Sequence, residues 1–245
     1  VTTFLTEIRD LFLPPEDSKH GPLSLLLLSM TLVTGLVDAF SYLTLGHVFV
    51  ANMTGNVVFL GFALIGAPGF SVTASLVALA AFAAGALAGG RIAAKYADHR
   101  GRLHSSASLL QAALLAIAVV LAGVGGSPVP AGYRYALIVA LGAAMGIQNA
   151  AARKIAVPDL TTTVLTLTIT GIAADSTLVG GSGSRAGRRL VSVVTMLAGA
   201  VVGAALVLHA HIMYPLIIAF VTIAAGAVAA WKLGSGDPAW VHAPS

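Results

Sequence analysis

The sequence predicts an all-α polytopic membrane protein with about six spanning helices, two short re-entrant or broken half-helices and two inverted repeats. Three observations predict it. Only 9% of the residues are charged and 58% are hydrophobic, whereas a soluble domain carries about a quarter charged residues. Several apolar runs reach the ~20 residues that cross a bilayer. Finally, one arrangement occurs twice, in Gly35–Ala63 and more weakly in Gly146–Ala173: an apolar helix bearing a polar residue, a break, and a short apolar helix.

The chain divides into an N-terminal cytoplasmic or interfacial segment 1–21, a first membrane repeat 22–124, a second membrane repeat 133–231 and a flexible tail 232–245. In Phe4–Phe12, the residues Phe4, Leu5, Ile8, Leu11 and Phe12 share one helical face, as an interfacial helix requires. Glu7, Asp10, Glu16 and Asp17 make the start acidic, unlike a cleavable signal peptide, so the first spanning helix is expected to direct insertion.

Leu23–Leu45 is the first expected span. Thr31, Thr34, Gly35, Asp38, Ser41 and Tyr42 recur at spacings of three or four, which puts them on one face. A polar stripe in a membrane faces the bundle interior or a cavity. Gly46–Met53 breaks the helix and Thr54–Ile65 resumes it. Twelve residues reach only ~18 Å, too short for ~30 Å of hydrocarbon. Ser71–Ala94 is the next span, Arg91–His104 a basic segment, and Leu109–Val124 a further span. Tyr133–Ala152, the short helix Leu160–Ala174, Leu190–Leu208 and Tyr214–Trp231 complete the second half.

Three matched stretches carry the repeat. Gly35-Leu-Val-Asp38-Ala39 answers to Gly146-Ile-Gln-Asn149-Ala150. Asn52-Met-Thr54-Gly-Asn56 answers to Asp159-Leu-Thr161-Thr-Thr163. Gly85-x-x-x-Gly89 answers to Gly199-x-x-x-Gly203. Clustered basic residues decide its sense. With Arg91–Arg102 and Arg153-Lys154 cytoplasmic, Arg185, Arg188 and Arg189 obey the same bias only if the second short helix dips in and returns. Each repeat then has three spans, and an odd number inverts the second copy.

This geometry selects the candidate site. The start of a half-helix offers unpaired N–H groups and the positive end of its dipole, which suit an anion or polar oxygens. The expected substrate-binding residues are Asp38, Tyr42, Asn52, Thr54, Gly55, Asn56, Asn149, Asp159, Thr161, Thr162 and Thr163. Asn52 or Thr54 and Asp159 or Thr161 are also expected helix caps. An acid removed from water holds its proton more firmly, so Asp38 is the candidate for proton coupling. His47 at the break reads as a membrane-edge histidine. The GxxxG pairs permit close helix contact, within the chain or in a homodimer.

No cysteine is present, which excludes a disulfide framework, a thiolate nucleophile and a cysteine metal site. No metal, cofactor or nucleic-acid partner is expected. The basic residues sit at loops and are not interleaved with aromatics.

The stretch GLVDAFSYLTLGHVFVANMTGNVVFLG resembles the YoaK-like family of small bacterial integral membrane proteins, catalogued as uncharacterised and sometimes as small-molecule permeases. Asp38-Ala39 and Asn52-Met53-Thr54-Gly55-Asn56 carry the resemblance. It implies a multi-pass protein of the bacterial cytoplasmic membrane with lipid around it; the basic-residue bias with re-entrant short helices puts both termini in the cytoplasm. The expected function is transport of a small polar or anionic solute, with Asp38 as the candidate for coupling it to protons, and not an enzymatic reaction. The rival readings are a passive channel or facilitator and, less well supported, an intramembrane enzyme acting on lipid.

Overall fold

The structure is a computed structural model, and it describes all residues except 1–3, 16–17, 159, 161–164, 177–179, 181–184, 237 and 243–245. Among the described residues the chain is helical, with no strand. An interfacial helix, α1 (Phe4–Phe12), precedes the first spanning helix α2 (Leu23–Thr44). The short α3 (Met53–Leu64) leads to α4 (Val72–Lys95) and α5 (Arg100–Gly125). The second half comprises α6 (Ala131–Ile155), the short α7 (Leu165–Ala174), α8 (Ala186–His209) and α9 (Met213–Gly234). Six of these, α2, α4, α5, α6, α8 and α9, are long and apolar enough to cross a membrane.

Side-chain caps mark several starts. Ser71 accepts a hydrogen bond from Ala74 N, and Asn52 accepts one from Gly55 N. α5 corrects the expected start at Leu109: the basic stretch from Arg100 onward is helical. His99 caps it by accepting from Arg102 N at 3.1 Å. Arg100 is buried because its guanidinium meets Lys19 O, Ile155 O and His20. The tail also departs from expectation. Ala239–Val241 forms a 3-10 turn with Trp240 and Val241 buried, and Trp240 lies against Gly21 and Gly101, whose missing side chains leave it room.

α2 and α6 are the enclosed helices, with 78% and 67% of their spanning windows buried, against 17–39% for the other four. They are held by glycine. α4 lies on α6 so closely that a Cβ on Gly85 would strike Ala143 O, and one on Gly146 would strike Phe82 O. α8 lies on α2 in the same way: Gly199 meets Leu32 O and Gly35 meets Met196 O. Both GxxxG faces are thus filled from within the chain, and a second copy would have to use another surface.

The contacts also fix which helix ends share an end of the bundle. Arg100 ties the start of α5 to Lys19 O, ahead of α2, and to Ile155 O, at the end of α6. Arg188 in the first turn of α8 donates to Ser24 Oγ of α2, and Gly187 N donates to Glu7 of α1. Gly234 at the end of α9 lies by His99 and Gly101. At the other end, Gly46 lies by Arg134 at the start of α6, and Gly123 of α5 by Met213 of α9. All lysines and arginines except Arg134 therefore gather at one end, here called the basic end. α2 ends and α4 begins at the far end, whereas α6 ends and α8 begins at the basic end. Each short helix sits in a segment that leaves and returns on one side, the two from opposite ends.

The Arg100–His20 joint gives a pH prediction. Arginine only donates, so His20 Nδ1, 3.2 Å from Arg100 Nη2, accepts and the ring is neutral. Burial first, and then the charges of Arg100, Arg188, Arg185 and Lys19, hold His20 below its ordinary pKa. The unfolded chain then takes up this proton more readily than the folded one. The stability from this group is complete above about pH 6.5 and declines as pH falls below it. Melting temperature of the detergent-solubilised protein is expected to drop on acidification from about pH 7 to pH 5, and His20→Gln to flatten that drop.

Candidate functional site

The irregular segment between α2 and α3 poses the main problem of a broken membrane helix. Its backbone N–H and C=O groups lack helical partners, and hydrocarbon offers none. Two side chains solve it. Asp38 Oδ1 accepts from Val50 N at 3.0 Å and Ala51 N at 2.8 Å. Asn56 Oδ1 accepts from Phe49 N at 2.9 Å, and Asn56 Nδ2 donates to Phe49 O at 2.6 Å. Asp38 thereby pins the turn to α2, and Asn56 pins the same turn to α3. Asp38 is 5% exposed, and its second oxygen, Oδ2, is buried with no hydrogen-bond partner.

The mouth of this hairpin is aromatic. Tyr42 stacks on Phe49 with ring centres 5.1 Å apart and meets His47 edge-on; Phe59, Phe62 and Phe70 extend the cluster. His47, in the left-handed region with φ 55°, donates from Nδ1 to Gly69 O at 2.9 Å. That bond joins the residue after α2 to the residues before α4, so the chain closes a loop around α3.

The turn held by Asp38 forms one wall of a cavity of about 400 Å³. Ala51, Asn52, Met53, Thr54, Gly55 and Val58 come from the first hairpin, and Leu165 and Thr166 from the first described turn of α7. Asn149 of α6, Phe82 of α4 and Met196 of α8 close the remainder. None of these described lining residues is charged. Asn149 Nδ2 donates to Met145 O of its own helix at 2.9 Å.

The expected site residues thus divide. Asn52, Thr54, Gly55 and Asn149 line the cavity. Asp38 and Asn56 stand behind its wall and hold that wall in place, and Tyr42 packs in the aromatic mouth. Asp159, Thr161, Thr162 and Thr163 lie outside the described residues. Sequence reasoning missed Phe82 and Met196, each three residues before a matched glycine, Gly85 and Gly199. Their equivalent place before the paired glycines was the available signal. Gln148, which the sequence pairs with Asn149 as a candidate for substrate hydrogen bonding or interhelical packing, bonds between helices: Gln111 of α5, which sequence reasoning missed, donates to it at 2.7 Å, and Gln148 donates to Thr34 of α2 at 2.9 Å. Glutamine inside a spanning helix is the signal for such a cluster.

The chain also has relatives. Residues 26–229 match the family described as Protein of unknown function (DUF1275). The UPF0700 transmembrane protein YoaK of Bacillus subtilis (strain 168) is 33% identical over 150 residues, which is 61% of this chain and 65% of that protein. No solved structure matches the chain significantly.

Proposed function

The chain belongs to the DUF1275 family of multi-pass membrane proteins, and we propose that it is a transporter of a small polar or anionic solute. The observation that carries this reading is the cavity in which the turn before α3, the described start of α7 and Asn149 face one another. Peptide N–H groups at a helix start favour oxygen-bearing or anionic groups. Uncharged described walls favour a neutral or singly charged solute over a multiply charged one.

The helix contacts support a reading as inverted repeats and, through it, alternating access. Leaving α1 aside, the helix contacts map onto themselves when α2, α3, α4 and α5 are exchanged for α6, α7, α8 and α9: α4 on α6 becomes α8 on α2, and α5 on α6 becomes α9 on α2. With hairpins entering from opposite ends, the site lies between two units that rock against each other. The basic end faces the cytoplasm of a bacterial inner membrane by the positive-inside bias. Asp38 supports proton coupling. An ionised carboxylate makes charge-assisted bonds to Val50 N and Ala51 N. A proton taken up on Oδ2 weakens both and loosens the cavity wall. The reading involves no catalytic step.

The test is uptake into proteoliposomes, with radiolabelled acetate, inorganic phosphate, urea and glycerol as probes. The account predicts saturable uptake of at least one probe, stimulated by an imposed pH gradient and abolished by Thr54→Trp, which fills the cavity. Non-saturating flux indifferent to the gradient would favour a passive facilitator instead.

A further inference from the structure

The cavity lies at the middle depth of the spanning helices. Phe82 is about 15 Å along α4 from the far end, and Met196 about 15 Å along α8 from the basic end, in helices of 24 residues that are roughly 36 Å long. Its open side faces sideways. α4 packs on α6 and α8 packs on α2, but α4 and α8 do not pack on each other. The short helices follow them: α3 packs on α4 and α7 on α8, and the two are not packed together. α5 and α9 contribute no described residue to the cavity. Among the described residues no helix packs on both α4 and α8 to close the gap between them. Four lining residues, Asn52, Thr54, Val58 and Thr166, are exposed there. Outward from the same two helices, Leu87 of α4 and Leu197 and Val201 of α8 are exposed as well, as lipid-facing positions are. At this depth the neighbour of an open side is hydrocarbon.

The lining is divided in chemistry. Val58, Phe82, Leu165 and Met196 offer apolar surface, and Asn52, Thr54, Asn149 and Thr166 offer hydrogen bonds. The Thr54 and Thr166 hydroxyls have no hydrogen-bond partner among the described residues. Hydrocarbon cannot satisfy such groups. A lipid tail in the gap would leave them unpaired, and a fully hydrated solute would have no wet route through the side. A molecule with a polar head and an apolar chain satisfies both halves of the wall. A cavity of about 400 Å³ is of the size that holds a small organic ligand.

We propose that the solute is amphipathic, a short hydrocarbon chain with one uncharged or singly anionic head such as a carboxylate, and that it enters from the bilayer through the gap between α4 and α8. The head is held by the threonine hydroxyls and the two asparagines. The chain lies along Val58, Phe82, Leu165 and Met196. This names the substrate class of the same cavity, and it rests on the transporter reading.

The experiment uses the native absence of cysteine. A nitroxide is attached to Val58→Cys, at the gap, and to Val201→Cys, on the lipid-facing side of α8. Collisions with oxygen, which dissolves in hydrocarbon, and with a water-soluble nickel chelate are compared in proteoliposomes. Both labels are expected to meet oxygen and not the chelate. Straight-chain carboxylates from acetate to octanoate are then added. They are expected to shield the Val58→Cys label and leave Val201→Cys unchanged, with the half-effective concentration falling about twofold to fourfold per added methylene. Thr54→Val with Thr166→Val, which keeps the shape and removes both hydroxyls, should raise that concentration for octanoate about tenfold. A Val58→Cys label that meets the chelate shows a water-filled opening, and one shielded from both quenchers without ligand shows protein across the gap, such as a second copy. Either result overturns the proposal, as do equal effects of acetate and octanoate or an octanoate effect indifferent to the two hydroxyls. In each of these cases saturable uptake of a small polar probe would still uphold the transporter reading. Absence of uptake for every probe and carboxylate would end that reading, and the proposal with it.

Discussion

Replacing Asp38 by leucine is expected to destabilise the protein by about 2–6 kcal/mol, because it strands two buried N–H groups at about 1–3 kcal/mol each. Those groups, Val50 N and Ala51 N, have the Asp38 carboxylate as their acceptor, and both residues are buried. Asp38→Asn behaves differently. An amide oxygen can still accept both bonds, so the turn stays attached and the fold survives with a smaller loss. What the amide cannot do is take up a proton. The account therefore predicts that Asp38→Asn retains monodisperse, folded protein while any gradient-driven accumulation is lost, and that Asp38→Leu loses both. Thermal melting in detergent and uptake in proteoliposomes separate the two variants. Full gradient-driven uptake by Asp38→Asn would remove Asp38 from coupling and leave it a purely structural clamp.

The second large effect concerns the glycine crossings. Gly146→Leu and Gly35→Leu are each expected to abolish the folded protein. In both, the new Cβ is directed at a backbone carbonyl, Phe82 O or Met196 O, which cannot swing aside as a side chain would. Forcing such a contact apart costs more than the roughly 1–3 kcal/mol typical of an overpacked core, since whole helices must separate. Gly61→Ala and Gly90→Ala make the control. A Cβ at either meets nothing within 4 Å, and alanine gains about 0.5–1 kcal/mol over glycine in a helix. Size-exclusion profiles of the four variants should show aggregation for the first pair and a native or slightly more stable species for the second.

The six spans were readable because each is an uninterrupted apolar run, and four residues of the cavity lining because polar residues interrupt such runs only at a cost. Asn52, Thr54, Gly55 and Asn149 emerged from that logic together with the repeat. Arg100 was misread for a physical reason: charge suggests a loop, and only the tertiary fold supplies the carbonyls that let a guanidinium be buried. Trp240 was misread because a Gly/Pro-rich tail looks unpacked, whereas the slot it fills is made by Gly21 and Gly101, far away in the chain. Phe82 and Met196 had no polar signature of their own. The part of Asp38 that matters most was also hidden, because its partners are backbone atoms of a segment twelve and thirteen residues on.

A single solute site between the two halves requires that the two hairpins enter from opposite sides. This is tested most directly by the sidedness of two single cysteines, one at Pro68, in the turn between α3 and α4, and one at Ser176, just after α7. An impermeant thiol reagent applied to intact cells should label Pro68→Cys at once and Ser176→Cys only after the membrane is opened. Labelling of both from the same side would contradict the opposed hairpins, and with them the placement of one solute site between two inverted repeats.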